Sequence, residues 1–141
     1  MAGADTKREM LQAVSLFSSM RRKDLDSLAH LADTIDLPAG KTLMREGEHG
    51  GEMFVVVAGS VEVDRGGRRV TKLGPGEAVG EMALLSEGPR NATVTTLEPT
   101  TVIAIQHREF HTLMEDSAEL RSCILDNLAK RVRNLDEGGA H

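Results

Sequence analysis

The spacing of hydrophobic residues changes twice along the chain and divides it into three regions. Residues 1–32 contain apolar positions three and four apart, which is typical of helices with one buried face. In residues 33–106, short runs rich in Val, Ile and Thr are separated by turn residues at fairly even intervals. Residues 107–137 return to a helical spacing. The pattern predicts a single domain, mainly β, in which helices flank a β-roll.

Two kinds of strand are predicted in the central region. Apolar and polar residues alternate over residues 61–64, as expected of a strand with one buried face. Residues 54–57 are apolar throughout, which indicates a strand covered on both faces. Because many short strands with regular turns favour layered or closed β structures, this region predicts a sandwich, roll or barrel.

The helical regions carry start signals of their own. Ser18 or Ser19 is expected to cap the lead-in helix, and Asp116 or Ser117 the last helix. The apolar stripe of the C-terminal region suits either docking on the roll or pairing with a second copy of the chain. It comprises Leu113, Leu120, Ile124, Leu128 and Val132.

Composition excludes several classes of protein. The 141 residues carry 17 Lys and Arg against 22 Asp and Glu, a net charge of −5, so the basic face of a nucleic-acid binder is not expected. Aromatic residues make up 2%, too few for the stacking platforms that bind single strands. Cys123 is the only cysteine, which excludes an intramolecular disulfide. With no membrane-length apolar run and no secretory leader, we expect a cytoplasmic protein.

Residues 80–91 differ from an ordinary turn between strands. Good helix formers follow Gly80, and the free amides at the start of a short helix favour an anion. Arg90 supplies a guanidinium, which binds phosphate oxygens through forked hydrogen bonds. Glu81 beside the anion favours a ligand that also donates a hydroxyl, such as a ribose. The residues alone therefore predict a sugar–phosphate ligand.

Residues 79–94, VGEMALLSEGPRNATV, resemble the phosphate-binding cassette of cyclic nucleotide-binding domains. The cassette of that family is similar to F-G-E-[LIM]-A-L-[LIM]-x-x-x-P-R-x-A-T-V. Residues 46–63 and the lead-in at residues 16–28 also resemble the family, so the likeness covers most of the chain. The resemblance implies a double-stranded β-helix, a jelly-roll-like β-roll with its cassette at residues 80–94.

Each cassette position receives an expected role from this resemblance. Glu81 would accept from the ribose 2′-OH beside the Gly80 amide, and Arg90 would pair with the cyclic phosphate beside the Ala83 amide. Asn91 replaces the usual Ala, Ser or Thr, which leaves cAMP and cGMP open, with cAMP expected. Val79 replaces the usual aromatic residue, which we interpret as a packing change. The implied ligand-binding set is Gly80, Glu81, Met82, Ala83, Arg90, Asn91 and Ala92.

In the resembling fold, the base lies on an apolar wall of the roll and is covered by the last helix. The candidate wall residues are Val70, Leu73, Met82 and Val94. The candidate lid residues are Leu125, Leu128 and Arg131, although a helical stripe of this kind is more often part of a core.

His107 and His111 are the only other pair that suggests chemistry. They lie four residues apart on a predicted helix, but Arg108 occupies the position where a zinc peptidase motif has its glutamate. We interpret the pair as a solvated helix start, and we expect no metal site.

The expected function is a non-catalytic sensor that binds cAMP, or less favourably cGMP, without a cofactor, and signals by moving its C-terminal helices. A homodimer or an effector protein is the expected partner, with no nucleic acid and no membrane. Two alternatives stay open. One is the regulatory domain of a CRP-type transcription regulator or other larger protein, and the other is a degenerate interaction domain that binds no ligand.

Overall fold

The computed structural model describes residues 4–85 and 88–138. The helices are α1 (Ala4–Gln12), a 3₁₀ turn (Ser15–Phe17), α2 (Arg22–Leu31), α3 (Met82–Leu85), α4 (His107–Glu115) and α5 (Ala118–Gly138). The strands are β1 (Asp33–Leu37), β2 (Thr42–Met44), β3 (Glu52–Ala58), β4 (Val61–Arg65), β5 (Arg68–Leu73), β6 (Ala78–Val79), β7 (Thr93–Thr96) and β8 (Thr100–Gln106). The strands thus begin and end where the hydrophobic period of the sequence changes.

The strands form two four-stranded sheets, in the orders β1-β8-β3-β6 and β2-β7-β4-β5. All pairings are antiparallel. Apart from the β4–β5 hairpin, neighbours in each sheet are not consecutive in the chain, as in a roll in which the strands wind between two layers. The predicted fold class, mainly β with flanking helices around a jelly-roll-like β-roll, is confirmed.

Strand β3 is covered on both faces, as its apolar run predicts. Successive side chains of a strand point to opposite sides, so one set enters the roll and the other faces the helices. Phe54 and Val56 lie in the core between the two sheets. Met53 and Val55 lie in a second core, against the helices. One sheet therefore separates two hydrophobic cores.

The helical core joins the lead-in to the C-terminal helices. Phe17 of the 3₁₀ turn and Phe110 of α4 are fully buried, with ring centroids 5.8 Å apart. Leu84 of α3 enters the same core. The short helix within the cassette is thus packed against the helical layer.

Polar contacts hold α5 against the lead-in. The Nδ2 of Asn127, which is 4% exposed, donates to the Leu16 carbonyl at 2.8 Å, and Ser19 Oγ donates to Asn127 Oδ1 at 3.0 Å. Ser117 Oγ accepts from the Leu120 amide at 3.0 Å, so the predicted cap at Ser117 is confirmed. The predicted cap of α2 is wrong, because Arg21 occupies its N-cap without a side-chain hydrogen bond.

None of the helices in the described ranges has both the length and the apolar content that a membrane span requires.

Candidate functional site

The cassette crosses from one sheet of the roll to the other. Strand β6 ends at Val79 in the first sheet, and β7 begins at Thr93 in the second. Gly80 opens the crossing with a φ of +81°, in the left-handed region that residues with a side chain rarely adopt. The four residues of α3 follow, and the Ala83 side chain is buried. A glycine at position 80 therefore allows the chain to turn sharply from β6 into α3.

The backbone of Arg90 pairs with the turn between β2 and β3. Its amide donates to the Glu48 carbonyl at 2.8 Å, and its carbonyl accepts from the Gly47 amide at 2.8 Å. His49 and Pro89 form an isolated antiparallel bridge in the same place. These bonds fix the position of the Arg90 backbone beside the start of the cassette, although Arg90 is not part of a named strand.

The Arg90 guanidinium occupies space that two glycines leave open. A Cβ added to Gly80 would lie 2.9 Å from Arg90 Nη1 and 2.9 Å from the Glu52 carbonyl oxygen. A Cβ added to Gly50 would overlap the guanidinium, at 2.8 Å from Cζ. Real Cβ atoms do not approach other heavy atoms this closely. Gly50 and Gly80 thus form the two sides of a slot that brings the cation next to α3.

The electrostatic environment of Arg90 leaves its charge partly unmatched. Burial lowers the pKa of Arg90 from its ordinary value, and the negative charge of Glu52 acts in the opposite direction. The guanidinium still remains protonated at neutral pH, because its ordinary pKa lies far above 7. A half-buried cation with less hydration than it has in water is stabilised by an anion such as a phosphate.

The other polar groups of the cassette lie next to this slot. Glu81 is half-buried and immediately follows Gly80. The Ala83 amide donates to the Gly80 carbonyl at 3.0 Å, and the Leu84 amide donates to the Glu81 carbonyl at 3.1 Å. Contact between a phosphate and the Ala83 amide therefore requires the bond to Gly80 to be shared or broken.

The remaining candidate residues lie in different environments, some buried and some exposed. Ala92 and Val94 are buried in the core of the roll, with Leu73 partly buried beside them. Val70 and Asn91 are exposed. The side chains of Met82 and Arg131 lie outside the described part of the structure. Val94 and Leu73 thus share the core of the roll, whereas Val70 is on the surface.

The lid candidates lie on the helical side of the molecule. Leu128 packs against the core formed by the helices, and Leu125 is exposed on α5. Asn127, on the same turn, is bonded to the lead-in. In this arrangement α5 is docked on the lead-in helices, and a role for Leu128 over the base stays a prediction.

Three residues near the cassette have no role in the sequence prediction. Gly50 and Glu52 look like ordinary turn and strand residues, and only the fold brings them to Arg90. His107 was interpreted as part of a solvated helix start: α4 does begin at His107, but its expected exposure to solvent is wrong. Its ring is half-buried, and its Nδ1 lies 2.7 Å from the Ala83 carbonyl oxygen. The only local indication was a histidine directly after an apolar strand.

A cleft of about 510 Å³ lies away from the cassette, between the start of α2 and α5. Arg21 at its edge pairs with Asp24 of α2 and with Glu119 of α5, and the hydrogen bond to Asp24 raises the pKa of Arg21. Because its cation is matched by two carboxylates, the cleft is a poorer anion site than the slot at Arg90. No cluster suited to a metal ion occurs among the described residues.

Comparison with known proteins shows one family. The family profile described as "Cyclic nucleotide-binding domain" matches residues 34–117, which is more than half of the chain. Among curated proteins, the chain is 26% identical over 133 residues to a CRP-like cAMP-activated global transcriptional regulator of Mycobacterium tuberculosis. That match covers 91% of this chain but 59% of the regulator. The chain thus spans about three-fifths of the length of this relative.

Two solved structures are also similar to this chain in fold and in sequence. The N-terminal domain of a transcriptional regulator from Streptomyces coelicolor has a TM-score of 0.83 and 26% identity, over 91% of this chain and 93% of that one. The regulatory domain of Toxoplasma gondii PKA, solved with cAMP, has a TM-score of 0.76 and 30% identity. That match covers 96% of this chain and 53% of the other.

Proposed function

The chain belongs to the cyclic nucleotide-binding domain family, and from this premise we propose that it binds cAMP in preference to cGMP. Binding would be reported to a partner through the C-terminal helices, without a catalytic step in this chain. The preference for cAMP is supported by two similar proteins, one named as cAMP-activated and one solved with cAMP. Both are regulatory proteins or domains by their names.

The position of Arg90 is the observation that carries the proposal. Its guanidinium lies in the slot between Gly50 and Gly80, directly beside the start of α3. The pKa of Arg90 is lowered by burial, so the cation is incompletely compensated in the absence of an anion. The cyclic phosphate of a nucleotide would restore this balance through forked, charge-assisted bonds.

Glu81 gives the proposed site its preference for a nucleotide over free phosphate. A carboxylate next to the phosphate position would repel a simple anion. It favours a ligand that presents a hydroxyl beside its phosphate, as the ribose 2′-OH does. The carboxylate lies at the start of the cassette helix, because Glu81 comes directly after the sharp turn at Gly80.

Signalling would follow from a shift between two positions of the C-terminal helices. Leu84 places the cassette in the core that α4 and α5 share, so movement of α3 on binding changes the packing of these helices. A ligand that binds better to one arrangement increases its population by the difference in affinity. The docked position of α5 in this structure would be one of the two arrangements.

The test is isothermal titration of the chain with cAMP and with cGMP, since the sequence has no Trp or Tyr for fluorescence. We expect cAMP to bind, and Arg90→Leu to weaken binding by roughly 2–5 kcal/mol, because the phosphate then loses its charged partner. Arg22→Leu is the matched control. Arg22 is exposed on α2, so this substitution removes the same charge away from the site.

The possible results separate the parts of the proposal. Binding by wild type and Arg22→Leu but not by Arg90→Leu supports the site. Equal binding by wild type and Arg90→Leu contradicts the role of Arg90. If the folded wild-type chain gives no heat with either nucleotide, ligand binding itself is contradicted, and an interaction domain that binds no nucleotide remains.

A further inference from the structure

His107 connects three segments that are far apart in the sequence. It is the first residue of α4, and its amide donates to the Gly51 carbonyl at 2.6 Å, in the turn that precedes β3. Its ring Nδ1 lies 2.7 Å from the carbonyl oxygen of Ala83 in α3. The neighbouring Gly50 forms one side of the slot for Arg90. His107 is therefore bonded both to the cassette helix and to the turn that flanks the guanidinium.

The chemistry of the bond to Ala83 determines where the imidazole proton lies. A backbone carbonyl oxygen accepts hydrogen bonds and does not donate them. Nδ1 of His107 must therefore carry the proton, so a neutral ring has its hydrogen on Nδ1 and not on Nε2. The side chain is a donor at one specific atom, which a substitution can either keep or reverse.

His111 supports this orientation of the ring. It lies one helical turn after His107, and the two ring centroids are 4.1 Å apart with an interplanar angle of 40°. The buried Nε2 of His111 has no hydrogen-bond partner within the described ranges, so packing holds this ring in place. A neighbouring ring at this distance limits the rotation of His107 and keeps its Nδ1 directed at Ala83.

We infer that His107 is a positioning residue that holds the phosphate-binding cassette in its binding geometry and connects it to α4. The inference rests on the proposed function. Helix α3 has only four residues, too few to be stable without tertiary contacts. If the bond to Ala83 is lost, the cassette populates other conformations. The apparent affinity for a nucleotide is then the intrinsic affinity multiplied by the fraction of molecules whose cassette keeps the binding geometry.

Two substitutions of nearly equal shape test this role. In His107→Asn, the amide Nδ2 is able to donate where Nδ1 of the histidine does. In His107→Asp, a carboxylate oxygen faces the Ala83 carbonyl and repels it. An aspartate in the first turn is favourable for α4 itself, so weaker binding would not result from loss of that helix.

For cAMP titrated into each full chain, we expect the Asn variant to bind within about threefold of wild type. We expect the Asp variant to bind about tenfold more weakly, the factor that 1.4 kcal/mol represents. Equal affinities of the two variants would overturn the inference while leaving the proposed function intact. If the Asp variant does not fold, His107→Ala takes its place, since it removes the donor without adding a charge.

A second measurement does not depend on a ligand. Long-range ¹H–¹⁵N spectra of the imidazoles are expected to show the proton of His107 on Nδ1, and a proton on Nε2 alone would overturn the inference. Amide exchange at Ala83 and Leu84 is expected to be faster in the Asp variant than in the Asn variant. If wild type fails to bind any nucleotide, the proposed function fails, and these two readouts still decide the role of His107.

Discussion

Arg90 occupies its position because two residues opposite it have no side chain. Gly50 lies in the turn before β3 and Gly80 at the end of β6, and the guanidinium passes between them. Their roles differ physically. Gly80 has a φ of +81°, so a side chain there would also strain the backbone. Gly50 has no such requirement, and the atoms nearest to a side chain there would be those of the Arg90 guanidinium.

Gly50→Ala is therefore expected to reduce cAMP binding with little loss of stability. The new methyl group would overlap the guanidinium, which is the free end of a flexible side chain and is able to move away. We expect affinity to fall about tenfold, because Arg90 leaves its place beside α3, whereas the free energy of unfolding changes by less than about 1 kcal/mol. Titration and urea denaturation measure the two effects.

Gly51→Ala is the matched control for this prediction. A Cβ at Gly51 would have its nearest neighbour, the His107 Cβ, at 3.4 Å, which is an ordinary contact distance. We expect this variant to bind like wild type. Similar losses of affinity in both variants would show that the turn, and not the slot, is sensitive to substitution.

Helix α5 is positioned by polar contacts as well as by its apolar stripe. Ser117 caps its first turn, and Asn127 is bonded to Leu16 and to Ser19 in the lead-in. An apolar stripe permits a helix to slide or rotate with little change in buried area, whereas a buried amide fits only one register. Asn127 therefore specifies where α5 docks.

Replacement of Asn127 by alanine is expected to lower the free energy of unfolding by about 1–3 kcal/mol, because the buried Leu16 carbonyl then loses its donor. Chemical denaturation followed by circular dichroism measures this change. Asp126→Ala is the control, since Asp126 is exposed on the same turn. A change of less than about 0.5 kcal/mol in the Asn127 variant would contradict a specific docking contact.

In the molecule as a whole, one sheet of the roll separates the core inside the roll from the core formed with the helices. Side chains of β3 and β8 enter both cores, so the two sides share a rigid layer. The cassette bypasses this layer, because α3 contributes Leu84 to the helical core while Val94, at the end of the cassette, lies in the core of the roll. The core of the roll and the helical core are thus joined by a segment that is itself short.

Because the two cores share this sheet, we expect one cooperative unfolding transition that a ligand shifts as a unit. At a cAMP concentration of about 100 times Kd, binding adds about 2.7 kcal/mol of stability. This corresponds to a rise in Tm of roughly 5–10 °C for a chain of this size. Differential scanning calorimetry measures the shift, and Arg90→Leu is expected to show at most about a third of it. Two separate transitions, only one of which responds to cAMP, would contradict the coupling.

Much of this architecture was predictable from local patterns. The change of hydrophobic period coincides with the start of β1 at Asp33 and the end of β8 at Gln106. The continuous apolar run of β3 correctly indicated a strand buried on both faces. A cap at Ser117 was also visible, because it depends on residues three positions apart. Each of these features involves neighbours in the chain, so the sequence contains the information directly.

Contacts between distant segments were not predictable in this way. The prediction for His107 failed because its acceptor at Ala83 is 24 positions away, and nothing near His107 indicates which element it faces. The cassette motif identified Arg90 as the candidate phosphate ligand, but the slot that holds it depends on Gly50, in a turn that looks ordinary. Local spacing was sufficient for the division into helices and a β-roll, and the resemblance to a known family identified the cassette. Only the tertiary structure decided three features: the surroundings of Arg90, the docking of α5 and the hydrogen bond of His107. Each of them requires a contact between groups that are far apart in the sequence.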